Sequence, residues 1–224
     1  MADENPSTKR RPPFPSWLDA AVKIGGIGAV FGALYVVGLL YWGIHPQAMD
    51  IGYEPVQPVP YSHELHAGKL GIDCRYCHTL VEESAFATVP PTQTCMNCHS
   101  SIFPESEKLL PVRDSYATGL PVEWVRVHDL PDFVYFNHSA HVRRGVGCVE
   151  CHGRVDKMET VYQAKALSMA WCLDCHRNPD PHLRPLDQIT NMAWQAPEDP
   201  KIYGARLREA LGVNPRTDCS TCHR

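Results

Sequence analysis

The chain has 224 residues and a formal net charge of −4. This length allows one or two domains, and a charge so close to neutral gives no reason to expect a nucleic-acid partner. Its 20 prolines exceed average usage. The composition therefore argues against long regular elements over most of the chain.

The N-terminal region predicts a single membrane span. Residues 1–16 are polar and proline-rich and are expected to form a short cytoplasmic tail. Residues 24–42 carry no charge, and with the segment back to Trp17 they are long enough to cross a bilayer as a helix, giving a transmembrane anchor at 17–43. The positive-inside rule places the N-terminus in the cytoplasm, because three basic residues precede the span: Lys9, Arg10 and Arg11.

A cleaved signal peptide is the alternative for the same segment. The apolar run is longer than a usual signal-peptide core, and no small-x-small cleavage site follows it. An uncleaved anchor is therefore expected. The glycines of the span include Gly28 and Gly32, a small-x-x-x-small pair that favours packing against other membrane helices. Residues 44–60 are proline-studded and predict a semi-extended linker.

All ten cysteines belong to Cys-x-x-Cys-His pentads, the motif of covalent c-type haem attachment. In each pentad two thiols bond to one porphyrin and the adjacent histidine is the proximal iron ligand. A zinc ribbon does not need a histidine after every cysteine pair, a disulfide framework does not need five identical spacings, and a thioredoxin-like centre needs only one motif. The sequence thus predicts five haems, attached at Cys74 and Cys77, Cys95 and Cys98, Cys148 and Cys151, Cys172 and Cys175, and Cys219 and Cys222, with proximal ligands His78, His99, His152, His176 and His223.

An internal duplication organises the haem region. A pair of histidines three residues apart and two pentads recur after offsets of 75, 75, 74 and 77 residues, measured from His63, His66, Cys74 and Cys95. We therefore divide a pentahaem domain at 61–224 into dihaem modules at about 61–120 and 121–190 and a fifth-haem module at 191–224. A domain at 61–224 that holds five haems has too few residues per haem to build an ordinary apolar core. We therefore expect the porphyrins to form the core, and the apoprotein not to fold.

The remaining histidines supply candidates for the sixth iron position. The repeated pairs are the predicted distal ligands: His63, His66, His138 and His141. The fifth distal ligand is open, with His128 the first choice and the methionines Met192, Met169 and Met158 as alternatives that would raise that haem's potential. His45 and His182 are expected to be structural or surface residues.

Short helices packed around haems are the expected fold of this domain, which makes the chain mainly α-helical and irregular. The clearest helix is predicted over Pro200–Leu211, capped by Asp199 and stopped by Gly212. One short strand is predicted over Val122–Val127.

Filled coordination at every iron would restrict the chemistry to outer-sphere electron transfer. We therefore predict no catalytic residue and a non-catalytic electron-transfer subunit. The alternatives are a free-standing multihaem quinol dehydrogenase and a multihaem reductase with one open haem, which typically also calls for an acid/base cluster at the vacant position.

The motifs also resemble a known family. The His-x-x-His and Cys-x-x-Cys-His units are similar to those of class III multihaem cytochromes, and this resemblance implies that the first histidine of each pair ligates the following haem and the second a different one. The larger pattern covers nearly the whole chain and includes VRVHDLPDFVYFNHSAHVRRGVGCVECHGRVDKME and LSMAWCLDCHRNP. It resembles the pentahaem cytochrome c subunits of alternative complex III, a bacterial quinol-oxidising respiratory complex.

This resemblance implies partners and a location. The partners would be a large periplasmic iron–sulfur subunit, polytopic quinol-binding membrane subunits and monohaem cytochrome c subunits. The chain would be a single-pass protein of the bacterial cytoplasmic membrane, with membrane lipid around its anchor and its haem domain in the periplasm. Electrons from quinol would pass through it to a cytochrome c or a terminal oxidase of a respiratory or photosynthetic chain.

Overall fold

A computed structural model of the chain describes residues 15–44 and 50–223. The predicted cytoplasmic tail up to residue 14 and the start of the linker, including His45, lie outside these ranges. The contacts within the chain define two units, one formed by the N-terminal helix and one by the region from residue 50 onward. Each is described by itself.

The first unit is the helix α1, Ser16–Ile44. Its segment Trp17–Gly43 has a mean hydropathy of 1.9, and it is the one helix in the described ranges that is long and apolar enough to cross a membrane. A signal sequence would meet the same criteria. Large apolar side chains are exposed along it, such as Ile24, Phe31 and Trp42. The predicted N-terminal apolar helix is therefore confirmed, and its apolar surface is available for lipid or for other helices.

The second unit is built from short helices joined by irregular segments, as predicted. Apart from α4 and α8, the α-helices contain or directly precede predicted haem ligands. They are α2 (Cys74–Cys77), α3 (Thr92–His99), α4 (Leu110–Thr118), α5 (His138–Val142), α6 (Cys148–His152), α7 (Met169–Arg177), α8 (Pro200–Ala210) and α9 (Cys219–Cys222). A π-helical turn spans Glu64–Lys69, and four 3₁₀ turns lie at Glu107–Leu109, Val155–Lys157, Asp180–His182 and Leu186–Gln188.

The predicted strand at Val122–Val127 is wrong, since the described residues contain isolated β-bridges and no strand. The segment has no helix or strand hydrogen bonding, and a side chain takes the place of a partner strand. The Gln57 amide donates to the Val125 carbonyl at 2.8 Å and accepts from the Val125 N–H at 3.0 Å. One amide side chain thus satisfies both backbone groups that a strand would have paired.

Helix α8 begins where the sequence predicts and ends one residue earlier. The Asp199 side chain accepts a hydrogen bond from the Lys201 N–H at 2.8 Å, and Pro200 occupies the first turn. Gly212 follows the helix with a φ of 59°, which glycine adopts without strain. The helix packs on the turn Asp180–His182, and Gly204 allows this approach because a Cβ there would overlap the Asp180 carbonyl.

The apolar core of the second unit is small. Its described residues bury only seven apolar side chains, namely Val59, Val112, Val142, Met158, Leu183, Ile189 and Val213. Many large apolar side chains are exposed instead, including Phe86, Phe103 and Leu120. Side-chain burial on this scale is far below what a domain of this length needs to be stable.

Candidate haem-binding sites

The five pentads lie on or within short helices. In each pentad the two cysteines are three residues apart, so one helical turn brings both thiols to the same side. Local caps hold two of these helices in place: the Asp73 carboxylate accepts from the Arg75 N–H at 2.8 Å, and the Ser168 hydroxyl accepts from the Trp171 N–H at 3.3 Å. None of the ten cysteines forms a disulfide. Each pentad can therefore present two reactive sulfurs to one group.

Seven of the predicted histidine ligands have the same hydrogen bond. In each, ring Nδ1 lies within hydrogen-bonding distance of a backbone carbonyl, which can only accept, so Nδ1 is the donor and Nε2 keeps its lone pair. A metal-ligating histidine is typically oriented in this way. The pairs are His66 with Ser62 (2.8 Å), His78 with Thr88 (2.9 Å), His99 with Ile102 (2.9 Å), His138 with Ala85 (2.8 Å), His141 with Asn137 (2.8 Å), His176 with Arg216 (2.8 Å) and His223 with Phe133 (3.4 Å).

Three predicted distal histidines each lie opposite a predicted proximal histidine. The ring centroids are 6.2 Å apart for His66 and His99, 6.4 Å for His138 and His152, and 6.1 Å for His141 and His176. Two imidazoles bound to one metal from opposite sides, with metal–nitrogen distances of about 2 Å, hold their centroids about 6.3 Å apart. These residues fit an iron between each pair of rings.

Electrostatics indicates a fourth pair, His63 with His78. Burial lowers the pKa of His63 to about 4, and the neighbouring His78 and His66 lower it further in the same direction. Burial, followed by His128 and His138, likewise lowers the pKa of His152 to about 3. Both rings are therefore neutral at physiological pH, the form in which imidazole binds a metal. His63 lies near His78 of the first pentad, and His66 lies opposite His99 of the second. The two histidines of this pair therefore lie at two different pentads.

An aromatic residue supports each pair of distal histidines, and the sequence analysis did not identify it. The Tyr61 ring lies 4.8 Å from His63 and 4.4 Å from His66, at interplanar angles of 84° and 22°. Phe136 lies 4.7 Å from both His138 and His141, at 85° and 28°. Tyr61 and Phe136 are 75 residues apart, the offset of the histidines themselves, so extending the repeat two residues upstream would have found them.

The candidates for the fifth distal ligand occupy different places. His128 lies 4.4 Å from the His152 ring, with its Nε2 buried and without a hydrogen-bond partner. Met158 is buried and its methyl group approaches Gly153, next to His152. Met169 is 60% exposed at the start of α7, and Met192 is partly buried. His223, by contrast, has its ring contact with Phe133 at 5.8 Å. The choice of His128 stays a prediction.

A buried ionic cluster beside the third pentad was also missed. Arg184 Nη2 donates to Glu150 Oε1 at 2.9 Å, and His182 Nδ1 lies 2.9 Å from Glu150 Oε2. Burial raises the pKa of Glu150, but His182 and Arg184 outweigh it and lower the pKa overall. The Glu150 carboxylate in turn raises the pKa of His182. His182 was expected to be a structural or surface residue, and it is a half-buried member of this cluster.

Comparison with known proteins agrees with the chemistry of these residues. Residues 134–224 match the family described as cytochrome c7 and related cytochrome c. The chain is also 31% identical, over 177 residues, to the menaquinone reductase multihaem cytochrome c subunit of Nitratidesulfovibrio vulgaris. That similarity covers 69% of this chain and 82% of its relative. The chain belongs to the multihaem cytochrome c family.

Membership in this family means that the cytochrome carries covalently bound c-type haems and transfers electrons. The pentads provide the thiols and proximal histidines that such haems require. In His66, His138 and His141 the Nδ1 hydrogen bond to a carbonyl leaves Nε2 able to bind a metal. The small apolar core fits the same conclusion, because each porphyrin brings a large apolar surface to a domain that buries few apolar side chains.

Proposed function

We propose that this cytochrome is the membrane-anchored, five-haem electron-transfer subunit of a quinone-linked respiratory complex. The observation that carries the proposal is the set of opposed imidazoles at 6.1–6.4 Å. A haem supplies one-electron chemistry at its iron. Where the protein fills both axial positions, a substrate has no site on the metal, so the residues serve electron transfer rather than bond-making catalysis.

The proposed ligand set follows the geometry. Each pentad histidine is the proximal ligand of its own haem, and the first and second histidines of each pair serve the first and second pentads of their own module. The distal assignments are His63 with His78, His66 with His99, His138 with His152, and His141 with His176. The fifth haem takes His223 and a distal ligand for which His128 is the first candidate. Tyr61 and Phe136 hold the paired rings in position.

Helix α1 is the proposed anchor. Its 27-residue apolar segment suits a single span, and the basic residues before it favour a cytoplasmic N-terminus and a periplasmic haem domain. Gly28 and Gly32 leave open space on one face, since nothing lies within 4 Å of a Cβ built at either position. Such a face supports close packing against polytopic quinone-binding subunits.

Quinol oxidation is the proposed direction of electron flow, as in alternative complex III. A quinol releases two electrons and two protons, and each iron accepts one electron, so the electrons pass one after the other. They would continue to a monohaem cytochrome c or a terminal oxidase, with an iron–sulfur subunit as a further partner. The similarity to a menaquinone reductase subunit supports a second candidate, delivery of electrons to a menaquinone-reducing subunit.

Purification in mild detergent tests the proposal. We expect several other subunits to accompany the chain, and mass spectrometry to show a polypeptide carrying five haems. Adding quinol to the oxidised complex should reduce the haems. Haem oxidation by menaquinone in the reduced complex, without reduction by quinol, would instead establish the second candidate.

Two results would contradict the proposal. A stable chain that purifies alone and oxidises quinol by itself would be a free-standing quinol dehydrogenase. A high-spin ferric signal that shifts on addition of cyanide or nitrite would show an open iron and favour a reductase.

A further inference from the structure

The first and second attachment sites touch each other. The Asn97 amide donates to the Tyr76 hydroxyl at 3.2 Å, and each of these residues lies between the two cysteines of its pentad. Two pentads that are separated by a loop in the sequence are therefore direct neighbours.

The first and third sites also touch, although they belong to different modules. The Cys74 and Cys148 side chains are neighbours. A shared backbone segment reinforces this contact. The Ile189 carbonyl accepts from the Cys148 N–H at 3.2 Å, and the adjacent Thr190 hydroxyl donates to the Asp73 carboxylate at 2.8 Å.

Helix α5 joins the third site to the fourth. Its two histidines are one turn apart, and His138 faces His152 while His141 faces His176. Because His138 and His141 are neighbours on one helix, the histidines that they face, His152 and His176, are neighbours as well.

The fourth site adjoins the fifth. His176 donates from Nδ1 to the Arg216 carbonyl at 2.8 Å, three residues before the fifth pentad begins. The fifth pentad is also fixed from the other side, where the Tyr135 N–H donates to the Cys222 carbonyl at 2.7 Å.

We propose that the five haem sites form one unbranched series in the order second, first, third, fourth, fifth, so that the second and fifth sites are its ends. Exposure supports the two ends, because Cys98 and Cys219 are the exposed members of the ten cysteines. All five residues of the third pentad, at the centre of the series, are partly buried. The order along the polypeptide is therefore not the order of electron transfer.

The inference rests on the proposed electron-transfer function and specifies its path. Each site would hold a haem whose iron alternates between the ferric and ferrous states, so an electron would enter at one end of the series and leave at the other. No bond forms or breaks and no proton is required. A partner that donates electrons and a partner that accepts them therefore meet different pentads, Cys95–His99 and Cys219–His223.

Electron paramagnetic resonance of the haem-loaded protein tests the order, with His66→Met at the second site and His138→Met at the third. A methionine ligand raises a haem's potential, so the substituted site is reduced first in a poised titration. Reduction to the diamagnetic ferrous state removes one spin, and the signals of adjacent haems shift as their magnetic coupling to it disappears. We expect His66→Met to shift one other signal and His138→Met to shift two.

Two or more shifted signals in His66→Met, or a single one in His138→Met, would overturn the series. If mass spectrometry shows that a variant has lost a haem, a cryo-electron microscopy map of the unsubstituted holoprotein decides the question, and any other order of irons refutes it. Neither measurement uses quinone or a partner subunit. Failure of the series would therefore leave the proposed function standing, and failure of quinol to reduce the complex would leave the series standing.

Discussion

Replacing Arg184 by methionine tests whether the buried ionic cluster stabilises the haem domain. The Arg184 side chain is 4% exposed and pairs with Glu150 at 2.9 Å. It also donates to the Asn191 carbonyl at 3.0 Å and lies over the Trp194 ring, 5.2 Å from its centroid. Methionine retains much of the apolar length of the side chain and removes the charge. The substitution leaves a carboxylate and a carbonyl without their main donor.

The expected loss can be worked from these contacts. Removing one partner of a fully buried ion pair costs about 3–5 kcal/mol. Glu150 is 25% exposed and keeps His182 as a partner, so we take about 2 kcal/mol for the pair. The hydrogen bond to Asn191 adds about 1 kcal/mol, and the contact with Trp194 adds about 0.5 kcal/mol. A total of about 3.5 kcal/mol corresponds to a fall in Tm of about 7–14 °C for a domain of this size.

The assay is thermal denaturation of the haem-loaded protein in detergent, followed by circular dichroism, with the number of haems checked by mass spectrometry. Arg126→Met is the matched control, because Arg126 pairs with Asp129 while both side chains are well exposed, at 72% and 63%. Exposed pairs contribute less than about 1 kcal/mol, so the control should melt within about 3 °C of the wild type. Equal melting temperatures for the two variants would refute a stabilising role for the cluster.

Three further outcomes are expected. His182→Asn should lower Tm more at about pH 5.5 than at about pH 8.5, because the raised pKa of His182 gives stability that is present below about pH 6.5 and lost as pH rises through the raised value. Gly204→Ala should cost about 1–3 kcal/mol in denaturant titrations through overpacking, against about 1 kcal/mol for the exposed control Ala205→Gly. Phe103→Asp, at the exposed end of the series formed by the second site, should slow steady-state electron transfer through the purified complex about tenfold. The equally exposed control Phe86→Asp should leave the rate unchanged. Equal rates for the two variants would contradict docking of a partner at Phe103.

Local chemistry made part of the structure predictable. The pentads identify the cofactor as c-type haem, because thioether attachment requires two thiols and a histidine at fixed spacing. Helix α8 was predicted because its cap at Asp199 and its stop at Gly212 act within one turn of the chain. The N-terminal helix was predicted because its length and composition are themselves the signal.

Long-range contacts account for what the sequence did not reveal. The partner of Val125 is the side chain of Gln57, 68 residues away, and no pattern within Val122–Val127 could distinguish that from a strand. The placement of His128 against His152, and of Arg184 beside Glu150, likewise depends on how distant segments meet. Tyr61 and Phe136 are different, since the repeat already contained them and closer comparison of its two copies was enough.

The contact between Cys74 and Cys148 has a consequence for biogenesis. The two residues are far apart in the nascent chain, and the fold brings their sulfurs together. Since the apoprotein is not expected to fold, this approach arises only after both pentads carry haem. Before that, in an oxidising compartment, cysteines of the open chain can pair as cystines that cannot bond to a porphyrin. Maturation must therefore load these two pentads while the polypeptide is still open and its thiols are reduced, and compaction must follow. A cell that makes this protein needs a reductant on the same side of the membrane as its haem ligation machinery.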